Sequence, residues 1–246
     1  MARERPLSRA PIREAVLDVR FPDAGRVDLG TLRATLEALD DFAEVHEIRP
    51  GSAVFQFTLE GEATSRVEQG DVVGFRATTA DGLWVAQLRV DGMTLSRLAP
   101  YTNWDELSGR SRPYLAKLLE LASPPRVDRL ALRYINHFRL PHPGDMAKYF
   151  HGLPSFPPPL PQYVSNLLYR ATLHDPQRDY TAHVTNALLE DLDPERIGFI
   201  LDIDAFRTAE FPPDLPTLWE TFDGLRVFKN EIFFGLITEP NAELHE

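Results

Sequence analysis

Ile12-Arg-Glu-Ala-Val-Leu-Asp-Val-Arg-Phe21 decides the fold. Ala15, Leu17, Val19 and Phe21 fall on one face, and Glu14, Asp18 and Arg20 on the other. That is the period of a half-buried strand, ended by Pro22 and Asp23. The close of this stretch returns later in the chain. Val19-Arg20-Phe21-Pro22 reappears as Phe138-Arg139-Leu140-Pro141, Leu88-Arg89-Val90-Asp91 as Leu201-Asp202-Ile203-Asp204, and Trp104-Asp105-Glu106-Leu107 as Trp219-Glu220-Thr221-Phe222. The order is kept and the spacing is nearly constant, which is the trace left by duplication of one supersecondary unit.

Working outward, Leu29, Leu32, Leu36 and Leu39 recur at spacings of three and four behind Asp28, so a helix is expected over about 28–42. Strands are expected at about 53–60, 71–79 and 83–91, the last two joined at Asp81-Gly82, a hairpin signal. Asn103-Trp104-Asp105-Glu106 opens a helix with an Asx cap. Pro113 is expected to break it, because an interior proline costs about 3 kcal/mol, leaving a second helix across 112–122. The second half reads as a long strand over 127–140, a short helix at 145–151, strands at 163–174, 179–189 and 197–206, and a helix from Asp214. The proline-rich Phe156-Pro-Pro-Pro-Leu-Pro161 is a rigid connection, and the polar tail after Thr238 is expected to fray. Each half is then β-α-β-β-β-α, over 1–124 and 125–246. The fold class is α+β, an antiparallel curved sheet with helices on one face, the two halves joined in one structural unit. This topology is similar to the TATA-binding-protein and helix-grip folds.

Composition narrows the setting. Apolar residues make up 43% and charged residues 26%, enough for a packed core. No apolar run reaches the roughly 18–20 residues of a membrane span, and the N-terminus lacks the apolar core of a signal peptide. Cysteine is absent, which removes disulfides and thiolate chemistry and suits a reducing cytoplasm. A net charge of −11 repels nucleic acid and anionic lipid. Lysine occurs only at 117, 148 and 229.

The outer face of the two first strands carries the candidate site: Glu14, Asp18 and Arg20 on one, Arg133, His137 and Arg139 on the other. Acids facing bases across a seam make either ion pairs or a ligand site. Tyr134 and Asn136 point to the helix side, where a buried Asn is expected to anchor a loop or helix end. Asp202 and Asp204 share a strand face without a third ligand, and the seven histidines form no zinc pattern, so neither metal nor cofactor is expected. Gly-x-Ser-x-Gly, phosphate-cradling glycine loops and Gly-x-Gly-x-x-Gly are all missing.

Pro11-Ile-Arg-Glu-Ala-Val-Leu-Asp-Val-Arg-Phe21, Leu132-Arg-Tyr-Ile-Asn136 and Glu231-Ile-Phe-Phe-Gly-Leu-Ile-Thr238 together resemble a sporadically distributed bacterial protein family with no assigned activity. The resemblance implies an accessory role, such as defence or toxin neutralisation, and no mechanism. The leading expectation is a non-catalytic cytoplasmic protein that holds a partner protein, basic by charge complementarity, or a ligand on the open sheet face. The alternative is a sensor or enzyme with a pocket between sheet and helices, His137 serving as acid–base and Arg133 or Arg139 holding an anion.

Overall fold

The computed structural model describes residues 1–22, 27–39, 42–57, 63–141, 146–162, 164–190, 193 and 195–246, with backbone alone over 51–57, 63–69 and at 190. Its strands are β1 (Ile12–Arg20), β2 (Phe42–Ile48), β3 (Gly51–Phe57), β4 (Ala63–Gln69), β5 (Gly74–Thr79), β6 (Trp84–Arg89), β7 (Gly92–Leu98), β8 (Val127–Pro141), β9 (Leu168–Asp175), β10 (Tyr180–Glu190) and β11 (Arg196–Phe211). The helices are α1 (Leu29–Glu37), α2 (Trp104–Ala122), α3 (Leu215–Leu236) and α4 (Glu239–Glu243), with a 3-10 turn at Met146–Lys148.

Nine strands form one open, curved antiparallel sheet in the order β2-β5-β6-β7-β1-β8-β11-β10-β9. The first strands of the two halves, β1 and β8, pair at its centre, with Leu17 opposite Leu132 and Arg20 opposite Arg129. β3 and β4 pair only with each other and continue the β2/β5 ribbon, tied by Gly70 N to Pro50 O and Val73 N to Ile48 O. One sheet face buries Ala15, Leu17, Val19, Leu95, Leu132, Tyr134, Leu201 and Ile203 beneath α1, α2 and α3.

Four expectations need correction. The first half contains three strands that the alternation does not disclose, β2, β4 and β7, so it is not β-α-β-β-β-α. β7 is buried on both faces from Gly92 to Arg97, which erases the period of two. β2 is a sheet-edge strand with one buried side chain, Phe42, so its apolar signal is weak. The second matched pair occupies unlike places. Leu88–Asp91 closes β6 and enters a turn, whereas Leu201–Asp204 lies within β11.

α2 runs unbroken through Pro113. Burial of Trp104, Leu107, Leu115 and Leu118 along one stripe outweighs the missing amide bond, and Ser111 Oγ donates to the carbonyl of Leu107 at 2.7 Å in the turn before the proline. The tail does not fray. Thr238 caps α4, its Oγ donates to Lys148 O at 2.6 Å, and Asn241, fully buried, donates to Tyr149 O at 3.0 Å. Strand β7 also explains a glycine. Gly92 has φ +150°, and a Cβ there would run into the carbonyl oxygen of Val19 where β7 meets β1.

Candidate functional site

Asp18 is the hub of the open sheet face. It accepts from Thr94 Oγ at 2.7 Å, Arg129 Nη1 at 3.1 Å, Arg20 Nε at 3.2 Å and Arg89 Nη2 at 3.3 Å. Arg129 continues to Asp204 at 3.1 Å, and Arg20 and Arg89 both reach Asp91 at 3.3 Å. Arg133 grips Asp202 with two bonds, 2.9 and 2.6 Å. Ion pairs therefore cross the sheet from β6 through β1 and β8 to β11. Four arginines stand against four aspartates, so the charge is largely spent inside the face.

The antiparallel register disperses the six expected site residues. Asp18 and Arg20 lie in the hub, and the charge of Glu14 acts on Arg133 one step along the seam. His137 and Arg139 lie beyond the end of β1, where the amide of His137 donates to Pro11 O at 2.8 Å and the strand pairs with Ile200 and Gly198 of β11. At about 3.3 Å per residue, Arg139 is about 20 Å from Arg133 along the strand. Asn136 is buried as expected, but its amide holds the Leu201 carbonyl of β11 at 2.9 Å, a strand rather than a loop or helix end.

A different place gathers chemically useful groups. The apolar stripe of α3 is Leu218, Phe222, Leu225 and Ile232, and Lys229 occupies the position between the last two. Beneath it β8 presents Tyr134. The N-terminal segment lines the space from above, its Ala2 amide bonded to the Phe234 and Ile237 carbonyls at 3.0 Å. Arg5 bridges to Glu239 and Glu246, and Glu4 accepts from Asn230 at 2.8 Å. The result is a cavity of about 470 Å³ walled by Tyr101, Trp104, Tyr134, Phe233 and Phe234, with Arg226 and Lys229 on its α3 side.

Lys229 is 91% buried, and its Nζ lies 3.9 Å from the centre of the Tyr134 ring. Among the described residues no carboxylate forms an ion pair with Lys229 or Arg226; the Arg226 guanidinium lies 6.0 Å from the Trp104 ring centre. Burial, with the Arg226 charge adding to it, brings the Lys229 ammonium down to about 7, and Glu4 opposes the shift. Tyr134 and Tyr101 share a hydroxyl–hydroxyl hydrogen bond of 3.2 Å, and burial raises both phenols, that of Tyr134 well above the usual value. The cavity thus offers a fixed cation, a titratable amine, neutral hydroxyls and aromatic walls. The readable trace in the sequence is a lone lysine at an apolar position of α3; the contributions of β8, the 101–104 connection and the N-terminal segment converge only in three dimensions.

Among the described residues no group of three or more His, Asp or Glu side chains could hold a metal ion, and no helix is long and apolar enough to cross a membrane. No protein-family model matches the chain, and no curated protein is significantly similar to it.

Proposed function

We propose that the protein binds a small anionic molecule with an aromatic or aliphatic body in the cavity between α3 and the sheet. One observation carries this reading: Arg226 and Lys229 line an aromatic-walled cavity and, among the described residues, no carboxylate forms an ion pair with either, Glu4 of the same lining acting on Lys229 only through its charge. Lys229 is the desolvated cation of the two, Arg226 being exposed at the cavity's edge; a buried charge without a partner is costly, and an anion entering the cavity relieves that cost. Apolar walls around a few convergent polar groups are the usual make-up of a ligand site. Holding a partner on the open face through Glu14, Asp18, Arg20, Arg133, His137 and Arg139 is the weaker reading, because Asp18, Arg20 and Arg133 already sit in internal ion pairs. The duplicated origin is supported by the strand order, which runs outward from β1/β8 as β7-β6-β5 on one side and β11-β10-β9 on the other.

Native mass spectrometry of the gently purified protein tests the proposal. Wild type should carry a discrete non-covalent small-molecule mass that is lost from Arg226→Met and kept by Arg133→Ala. A ligand lost from Arg133→Ala and kept by Arg226→Met would move the site to the open face.

A further inference from the structure

Resting on the anion-binding reading of this cavity, we infer that its ligand is an oxoacid, its carboxylate held by Arg226 and its carbonyl carbon captured by Lys229 as an imine. The two cations of α3 are not equivalent. A guanidinium stays charged and takes a carboxylate with two parallel bonds, whereas a desolvated amine beside another cation is the arrangement that frees a lone pair. Arg226 and Lys229 stand at i and i+3, neighbours on one helix face, both lining the cavity. The α-carbon carbonyl of an oxoacid adjoins its carboxylate, so one ligand can meet both groups.

The charged and titratable groups around Lys229 are Arg226 on its own helix, Glu4 and Arg5 on the N-terminal segment, Tyr134 on β8 and Tyr101 on the connection to α2. Glu4 hydrogen-bonds Asn230 and its charge partly offsets the effect of burial on the amine without an ion pair to it, while Arg5 bonds to Glu239 and Glu246. At pH 7 an ordinary lysine is neutral in about one molecule in a few thousand, and Lys229 in about half. The chemistry balances without a redox partner. The amine lone pair attacks the carbonyl carbon, the C=O electrons pass to oxygen, and the nitrogen loses a proton as that oxygen gains one. The carbinolamine then expels its hydroxyl with a second proton as water, leaving C=N. The neutral Tyr134 and Tyr101 hydroxyls, joined at 3.2 Å, are suited to hand over that proton.

The test uses the full chain at pH 7 with phenylpyruvate and cyanoborohydride, followed by peptide mapping. Reduction converts the imine to a stable amine, adding the mass of the probe less one oxygen. Lys117 and Lys148 are internal comparators, since these and Lys229 are the only lysines. The expected result is labelling of Lys229 about tenfold or more above either comparator and above phenylacetone, which has the same body without the carboxylate. Lys229→Arg should lose the label while still binding phenyllactate, which carries the anion but no carbonyl. Equal labelling of the three lysines, or an unlabelled protein that binds phenyllactate, overturns the imine and leaves the anion site standing. Labelling of Lys229 by both carbonyl probes alike, without phenyllactate binding, overturns the anion site and with it the oxoacid assignment.

Discussion

Lys229 and Asp18 show how burial separates two charged residues that look alike on paper. For a base lowered from 10.5 to about 7, the unfolded chain binds more protons between those values, so stability rises with pH across that window. The cost is complete at and below about pH 7 and vanishes near the ordinary lysine value. Lys229→Met should therefore stabilise the protein by about 2–5 kcal/mol at pH 6–7, with the gain shrinking towards pH 10, in urea titrations of the two proteins. A pH-independent difference would mean that the amine is not desolvated. Asp18→Ala should act the other way. It leaves Arg89, 6% exposed, without its inner partner, and a loss of about 2–4 kcal/mol is expected. Arg133→Ala removes a half-exposed guanidinium from Asp202, which is 15% exposed, and should cost about 1–2 kcal/mol, less than Asp18→Ala. Asp18 was legible in the sequence as a polar-face residue, since alternation alone puts it there. Of its three arginines only Arg20, on the same strand face, was legible, because Arg89 and Arg129 come from strands whose register no local pattern specifies.

Elements were legible in proportion to how unequal their two faces are. β1 and β8 alternate between a helix-covered face and a charged one, and their reading survives almost residue for residue. β7, covered on both faces, and β2, exposed on nearly all of one, have no such contrast and were invisible. Pro113 misled for a related reason: propensity is local, whereas the stripe that holds α2 straight across the core is tertiary. The C-terminal segment was misread because its polar residues are used as anchors. Arg5 and Arg9 of the N-terminal segment bond to Glu239, Glu246 and Leu244 O, so the two ends of the chain secure each other over the cavity. Removing residues 239–246 should raise amide hydrogen exchange across residues 3–10 while β1 and β8 keep their protection. Unchanged exchange there would show that the Ala2 contacts with α3 alone close the roof.

The whole molecule is knit at the β1/β8 ladder and at the Trp104–Trp219 contact, whose ring centres are 6.4 Å apart. Neither half can keep its helix-covered face dry without the other, so urea unfolding should give one transition, coincident by far-ultraviolet circular dichroism and tryptophan fluorescence. Two separated transitions would mean that the halves are independent. Charge acts at this scale too. With −11 overall and the arginines of the open face matched by aspartates, the cavity is where positive charge meets a small anion, Lys229 buried within it and Arg226 exposed at its edge. The most direct measurement is calorimetric titration of a panel of small aromatic carboxylates, phenyllactate among them, into wild type, Arg226→Met and Arg133→Ala. Saturable one-site binding by at least one carboxylate, weakened about tenfold or more by Arg226→Met and untouched by Arg133→Ala, is the expected result. Binding that survives Arg226→Met and fails in Arg133→Ala, or a panel that fails throughout, would contradict a cavity built for an anion.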